Sequence, residues 1–466
     1  MTLSYSDEMK ALVAGQQIAV IGLGKLGLPI ACIAAQAGYD VIGVDVSAEV
    51  VGQLQQGRPH IQEPMVADML RESLASGRLS FSTDYAAALD ADIYFVVVPT
   101  PSDSLGRFSS RYVLEACAEI GKLLADRWLA EFPVVCIVST VYPGAMANEI
   151  QPCLEFASGL EAGDNFGVFG IAYSPEFIAL GSVVKDYINP GFVMVGASDE
   201  WTREIVSGFY RTVTINDPPI LAMSVQSTEV AKLALNAYVT LKVSFANWLG
   251  LLCNQVTGAS VDQVTRALGH DRRIGPRYFT AGAPFGGPCF PRDVAALGYW
   301  AQEQGDAPGA AIPTVLPWAI QDINTATLAW IEGQVIKAGH GPLAILGLGY
   351  KTGCGLTEES PSVNLVRALR QRGEEWREVK VYGYDPYVAE PDDALRELGI
   401  AVTATAQAAV NEAKTVVVMQ SYVDFLHVAL REGQTVVDCW RLFDEPFGDW
   451  AKRGINYVAL GKGIQG

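Results

Sequence analysis

IAVIGLGKLGLPIACIAAQAGYDVIGVDV, Ile18 to Val46, decides the fold. An apolar β-type run leads into Gly22, Gly24 and Gly27, spaced GxGxxG; an apolar helical pattern follows, and a second β-type run ends on Asp45. Strand, glycine turn, helix and acid-terminated strand are the arrangement that binds a dinucleotide. The glycines serve a tight turn, close backbone approach to a pyrophosphate, and close packing of helix on strand. Asp45 is placed to accept hydrogen bonds from a ribose diol and to repel a 2′-phosphate, which favours NAD over NADP. Leu26 lies inside the turn and joins the candidate cofactor contacts.

The alternation of strand and helix continues outward. Helical patterns around 48–76 precede a β-branched strand within Ile93–Asp103, and another helix separates it from a strand within Pro133–Ala145. Near-continuous apolar strands fit a parallel sheet covered on both faces. Their carboxyl ends carry Thr100, Pro101, Ser139 and Thr140, at the edge where open α/β sheets bind ligands; ordinary turn residues read the same way. A further strand, GVFGIAYSPEF, ends at Glu176 and Phe177. Burial of that lone acid would suit acid, base or water-orienting chemistry, and a surface loop acid is the alternative.

The chain has 466 residues, half of them hydrophobic and 18% charged, enough for two or three well-buried domains. A net charge of -18 argues against nucleic acid and anionic membrane as partners, and an anionic ligand then needs a local basic cluster. Eight cysteines without a CxxC pair or metal-ligand spacing, and an amino-terminal stretch without signal-peptide pattern, point to a reduced cytoplasm. No apolar run is long enough to span a membrane, and no metal site is expected.

After Asn216 the composition changes. Ser224–Val256 reads as one long helix, apolar on nearly every face and so expected to be buried. Lys232 and Asn236, at i and i+4, share one side of it. A buried ammonium needs an anion, a carboxylate or a ligand; alternatively Lys232 snorkels beside Glu229. A short helix at Ser260–Leu268 precedes Arg272, Arg273 and Arg277, either an anion site or a solvated loop. Then comes FGGPCFPRD, Phe285 to Asp293, where two glycines and two prolines fix a turn around Cys289 ahead of an apolar helix. A thiol at a helix N-terminus has a lowered pKa, whereas most intracellular cysteines are buried and structural. A long helix over Ile312–Lys337 leads to a second strand and glycine turn, PLAILGLGYKTG, and to further strands. Its LGLG echoes the first turn, and Lys351 and Arg441, each after a strand, are placed to hold phosphate or are exposed charges.

In order, the motifs GLGKLG, VPTPSD, STVYPG, SPEF, EVAKLALNAY, DRRIG, FGGPCFPRD, LGLGYK and YDPY resemble the UDP-glucose/GDP-mannose dehydrogenase family, from Ile18 to Phe443. That resemblance implies two Rossmann-like parallel-sheet α/β domains joined by a helical domain: an NAD-binding domain at 1–215, a central dimerisation domain at 216–337, and a nucleotide-sugar-binding domain at 338–466. It implies an NAD-dependent four-electron oxidation of a C6 alcohol through a cysteine thiohemiacetal and thioester, on UDP-glucose or, alternatively, UDP-N-acetylhexosamine or GDP-mannose. A catalytically silent nucleotide-sugar binder is the remaining alternative. SPEF leans towards glucose.

The resemblance further implies Cys289 as nucleophile, Lys232 and Asn236 beside the developing oxyanion, and Asp293, Glu176 and Thr140 near the catalytic water. Gly22, Gly24, Leu26, Gly27, Asp45, Thr100, Pro101 and Thr140 fall to the cofactor. Glu176, Phe177, Lys232, Asn236, Arg273, Phe285, Gly286, Lys351 and Arg441 fall to the UDP-sugar, with Arg273 reaching the substrate of a neighbouring subunit in a homodimer or larger homo-oligomer. Three positions depart from the family pattern: Leu180 where many members carry a second Glu, Arg292 where a lysine is usual, and Leu356, Thr357 and Glu358 where an Asp-x-Arg is common.

Overall fold

Apolar β-branched runs separated by glycine turns and amphipathic helices leave little choice but stacked α/β layers. A computed structural model describes residues 5–6, 10–11, 13–103, 106–127, 132–163, 168–305, 312–444 and 449–463. The chain folds as two compact units, Met1–Lys232 and Leu233–Gly466.

The first unit holds eight strands: β1 Gln17–Ile21, β2 Asp40–Val44, β3 Leu79–Ser82, β4 Ile93–Val96, β5 Val134–Ile137, β6 Gly170–Tyr173, β7 Val193–Ala197 and β8 Ile220–Met223. Their order is β3-β2-β1-β4-β5-β6-β7-β8. All neighbours are parallel except β6 and β7, which run antiparallel with Ala172 opposite Ala197. The order reverses between β1 and β4, so their carboxyl ends open the crevice in which doubly wound sheets take ligands. One face packs Leu28, Ile33, Phe95 and Phe209; the other packs Ile21, Val96, Ile120 and Leu154. The sheet runs past residue 215 to Met223. The expected strand beginning at Gly167 keeps Gly170–Tyr173, its start lying outside the described residues.

The second unit carries six strands: β9 Leu343–Leu346, β10 Val381–Tyr384, β11 Ile400–Val402, β12 Thr415–Val418, β13 Thr435–Asp438 and β14 Asn456–Ala459. All are parallel, in the order β11-β10-β9-β12-β13-β14. This reproduces the order of the first six strands of the other unit, so the LGLG echo marks a repeated topology. The long helix is Val225–Cys253. It is not buried all round: Tyr238, Phe245, Trp248 and Leu252 are exposed, and steps of seven, three and four residues put them on one stripe. The helices Val261–Gly269, Phe290–Gly305 and Val315–Ala338 follow.

Candidate active site

The glycine turn after β1 divides its tasks as the spacing implies. Gly22 has φ +91°, its N–H donates to Val44 O at 2.8 Å, and a Cβ there would stand 2.6 Å from Val97 O. A Cβ on Gly27 would stand 1.9 Å from Gly22 O, so helix and turn approach each other as only glycine allows. A Cβ on Gly24 would meet nothing within 4 Å, which leaves open the face a pyrophosphate approaches. Leu26 is the N-cap of the helix Gly27–Ala37. Asp45 Oδ2 accepts Leu23 N–H at 2.9 Å and Oδ1 accepts Ser47 N–H at 2.9 Å. The acid therefore fixes the turn as well as facing the crevice. These features fit a bound dinucleotide: an open cradle at Gly24, a helix N-terminus, and a carboxylate at the second strand's end.

At the neighbouring strand ends Thr100 is buried, Pro101 exposed and Thr140 half-buried. Ser139 Oγ donates to Val98 O at 2.7 Å, a clamp between the exits of β4 and β5. Next to it lies a contact that spacing alone did not point to. Glu229, fully buried, accepts Gly144 N–H and Met146 N–H, each at 2.8 Å, and so holds the STVYPG loop. Glu229 is thus occupied, and Lys232 does not snorkel beside it. Lys232 is buried, its Nζ donating to Glu176 O at 2.5 Å and lying 4.6 Å from the centre of the Phe177 ring.

Glu176, three residues past the end of β6, is half-buried rather than a surface acid. Burial pushes its pKa up to about 7, against the hydrogen bond from Tyr210 and the charge of Lys232, which pull it down. Tyr210 Oη donates to Glu176 Oε1 at 2.7 Å. Nothing in the local pattern around Tyr210 signalled that bond.

In the second unit, the helix Phe290–Gly305 starts directly after Cys289, whose carbonyl accepts Asp293 N–H at 2.8 Å. The expected helix start after Asp293 moves forward by a turn, which places the thiol itself at the N-terminus. Of eight free cysteines, Cys289 is exposed and the other seven are buried or half-buried. Asp293 is buried; its Oδ2 accepts Asn236 Nδ2 at 2.6 Å, and its Oδ1 accepts Arg292 Nε and Nη2 at 3.0 and 2.9 Å.

The turn ahead of the thiol is braced on both sides. Phe285 N–H donates to Asn324 Oδ1 at 2.8 Å, and Asn324 Nδ2 donates back to Phe285 O at 2.9 Å. Gly287 N–H donates to Glu359 O at 3.3 Å. A Cβ on Gly286 would stand 2.1 Å from Glu359 O, and one on Gly287 2.4 Å from the Tyr350 ring. The loop that departs from the family pattern is therefore the support of the cysteine turn, and Glu359 itself adopts φ +50° to provide it. Glu358 is exposed, while Thr357 beside it is buried with its hydroxyl bonded to Asp392.

The basic residues divide. Arg273 is exposed but paired with Asp271, Nε–Oδ1 at 3.0 Å and Nη2–Oδ2 at 2.6 Å. Lys351 is half-buried, with Nζ 5.9 Å from the Tyr350 ring centre. Arg441 is not an exposed charge: it is buried, at φ +55°. Its guanidinium donates to Asp262 Oδ2 at 2.8 Å, Cys439 O at 2.9 Å, Leu460 O at 3.1 Å and Ala281 O at 2.7 Å. That leaves one of its five N–H donors for a ligand. Among the described residues no group of three His, Cys, Asp or Glu is placed to hold a metal, and no helix is long and apolar enough to cross a membrane.

Three family models match this chain: the UDP-glucose/GDP-mannose dehydrogenase NAD binding domain over residues 16–214, the central domain over 226–316, and the UDP binding domain over 344–445. UDP-glucose 6-dehydrogenase of Haloferax volcanii is 31% identical over 376 residues, 80% of this chain and 84% of its own length. GDP-mannose 6-dehydrogenase of Pseudomonas aeruginosa is 33% identical, covering 78% of this chain and 80% of that protein. UDP-glucose 6-dehydrogenase of Rhizobium meliloti is 30% identical over 96% of this chain and 99% of its own. A solved UDP-glucose dehydrogenase from Pyrobaculum islandicum superimposes with a TM-score of 0.84 at 29% identity, over 97% of this chain and 98% of that one. With the glycine turn, the acid of the second strand and the braced thiol in place, the chain belongs to the UDP-glucose/GDP-mannose dehydrogenase family and is an NAD-dependent nucleotide-sugar 6-dehydrogenase.

Proposed function

We propose that this enzyme oxidises the C6 alcohol of UDP-glucose to the carboxylate of UDP-glucuronate in two successive steps, through a thioester on Cys289. The observation that carries this reading is the thiol: the exposed cysteine of the chain stands at a helix N-terminus in a turn braced by Asn324 and Glu359. Bound NAD supplies the hydride acceptor at each oxidation, one molecule per step. The turn Gly22–Gly27 with Leu26 and Asp45 binds it, alongside Thr100, Pro101 and Thr140.

Cys289 thiolate adds to the C6 aldehyde, forming the C–S bond of a thiohemiacetal, and the oxygen takes up negative charge. Lys232 and Asn236 donate to that oxygen, worth about 3–4 kcal/mol per donor in comparable sites. After the second oxidation the carbon is a thioester. Water adds to it and gives a proton to Glu176; the C–S bond then breaks, releasing the thiolate and the carboxylic acid, which loses its remaining proton to solvent to become the carboxylate. Asp293, with one oxygen on Asn236 and the other on Arg292, orients the amide rather than the water. Phe177, Phe285 and Gly286 contact the sugar, and Lys351 and the remaining donor of Arg441 the diphosphate.

We also propose a three-domain division, 1–215, 216–337 and 338–466, which family matches over 16–214, 226–316 and 344–445 support. We also assign a homodimer, with Arg273 serving the neighbouring subunit; the exposed stripe Tyr238, Phe245, Trp248 and Leu252 supports a subunit contact. Eight free cysteines support a cytoplasmic enzyme. The relative at 33% identity keeps GDP-mannose as a second substrate reading. A panel of nucleotide sugars with NAD tests both: two NADH per UDP-glucose supports the proposal, one NADH retires the thioester, and turnover of GDP-mannose alone favours the second reading. Cys289→Ser is expected to abolish carboxylate formation; intact turnover in that variant removes the nucleophile.

A further inference from the structure

Behind Glu176 runs a chain of buried hydroxyls that the reaction above does not use. Tyr210 Oη lies 2.7 Å from Glu176 Oε1; Ser174 Oγ lies 2.9 Å from Tyr210 Oη and 2.8 Å from Met194 O. Tyr210 and Ser174 are each 1% exposed, so no bulk water replaces any of these partners. Each hydroxyl has one proton to give and lone pairs to receive. When Glu176 is ionised, Ser174 donates to Tyr210 and Tyr210 to the carboxylate. When Glu176 is protonated, the direction reverses: Glu176 donates to Tyr210, Tyr210 to Ser174, and Ser174 to the Met194 carbonyl. Every hydroxyl and the Glu176 oxygen keep a partner in both states, which is what a carboxyl alternating between base and acid requires.

We infer that Tyr210, backed by Ser174, is a positioning residue that fixes the Glu176 carboxyl and lets it take up and return the proton of the hydrolytic water. The inference rests on the assignment of Glu176 to thioester hydrolysis. The groups facing Glu176 are few. Lys232 comes from the long helix, Tyr210 from the helix Glu200–Val213, Tyr187 from the helix Val183–Ile188, and Cys136 from β5. Burial drives the Cys136 thiol and the Tyr187 and Tyr210 phenols well up, so they stay neutral, and Lys232 is the charge that Glu176 meets. Met194 comes from β7, so the relay is pinned to the sheet at its far end.

Tyr210→Phe keeps the ring and removes the hydroxyl. Loss of a donor to the ionised form is expected to raise the midpoint of the Glu176 carboxyl infrared band, assigned by its absence in Glu176→Gln, by about one pH unit. With a midpoint near 7 this leaves about five-fold less carboxylate at pH 7. The kcat is expected to fall about five-fold with KM unchanged, acyl-enzyme is expected to accumulate in single turnovers, and the rate recovers as pH rises. Ser174→Ala is expected to shift the band the same way by less, and it decides the matter if Tyr210→Phe does not fold. A pH profile and band midpoint that overlay wild type in these variants, while Glu176→Gln blocks hydrolysis, overturn the relay and leave the Glu176 assignment standing. Unimpaired hydrolysis in Glu176→Gln overturns the assignment, and the relay with it.

Discussion

Gly287→Ala is the substitution by which the brace of the cysteine turn is most directly measured. Gly287 sits at φ +84°, and an added Cβ would stand 2.4 and 2.6 Å from Cδ2 and Cε2 of Tyr350. Left-handed backbone costs an L-residue about 1–2 kcal/mol. Contacts between carbons settle near about 3.5–4 Å, so ring and turn must part by about 1 Å, an overpacking of about 1–3 kcal/mol. The sum is a destabilisation of about 2–5 kcal/mol, and at about 2–4 °C per kcal/mol the midpoint of thermal unfolding falls by about 4–20 °C. Two residues on, Cys289 moves with the turn, and a displacement of about 1 Å costs about 100-fold in kcat. Scanning calorimetry, steady-state kcat and the rate of Cys289 alkylation measure the three effects, while KM for NAD stays at its wild-type value. Tyr350→Ala in the same chain removes the clash and leaves the backbone cost, so the pair is expected to be less damaged than the sum of its singles. A Gly287→Ala enzyme with wild-type midpoint and kcat, or strictly additive singles, refutes the brace.

Asp45→Asn removes the charge that repels a 2′-phosphate and one of the two backbone acceptors of the turn. It is expected to lower kcat/KM with NAD about ten-fold and to narrow the NAD/NADP preference about 100-fold; an unchanged preference dismisses Asp45 as the discriminating group. Arg441→Ala strands three backbone carbonyls and Asp262 in or near the core. A loss of about 3 kcal/mol in urea unfolding is expected, and no loss shows that the guanidinium serves only ligand. Glu176 contributes a pH term of definite sign. Its folded pKa, about 7, lies above the value of about 4.5 it has when unfolded, so the native state holds the extra proton between the two. Stability from this group is present below about pH 4.5 and lost as pH rises through 7, up to about 3 kcal/mol. Glu176→Gln is therefore expected to unfold at higher urea than wild type at pH 8 and at equal urea at pH 4.5; the opposite order contradicts the buried acid.

The features legible in the sequence were those local in the chain. Gly22, Gly24, Gly27 and Asp45 form one contiguous motif, and each glycine's spacing states its geometry before any coordinate is known. The Cys289 turn was legible for the same reason. Partners far along the chain were not. Glu229 is three residues from Lys232, which suggested that they pair, yet it binds amides of Gly144 and Met146 on another loop. Arg441 looked like a charge after a strand because the carbonyls of Ala281 and Leu460 that consume it carry no side-chain signal. Tyr210 sits in an ordinary amphipathic helix and Asn324 in a long, largely apolar one, and only the fold brings them to Glu176 and Phe285. The strands β7 and β8 went unread because short apolar runs of four or five residues resemble loop or helix equally well.

The two units show how one architecture serves two purposes. Asp385 repeats Asp45 bond for bond: Oδ2 accepts Leu348 N–H at 2.9 Å as Asp45 accepts Leu23, and Oδ1 accepts Tyr387 N–H at 2.9 Å as Asp45 accepts Ser47. Gly347, at φ +96°, matches Gly22. The two diverge beyond the turn. In the first unit the helix begins at Gly27, so the open face at Gly24 abuts a helix N-terminus. In the second, Tyr350 to Ser360 come between the turn and the helix Pro361–Gln371. Ser360 and Ser362 hydroxyls donate to Leu348 O and Gly347 O, each at 2.6 Å, tying that helix back to the turn. The inserted loop then offers the Glu359 carbonyl and the Tyr350 ring to Gly286 and Gly287. These contacts are made by Glu359, next to position 358, and by Tyr350, eight residues before it, while Thr357 is bonded to Asp392. An exposed glutamate at 358 is therefore compatible with the loop's support of the cysteine turn, because that support asks for backbone at 359 and an aromatic face at 350. At Glu358 the departure from the family pattern falls on an exposed residue, whereas at Thr357 it falls on a buried one bonded to Asp392.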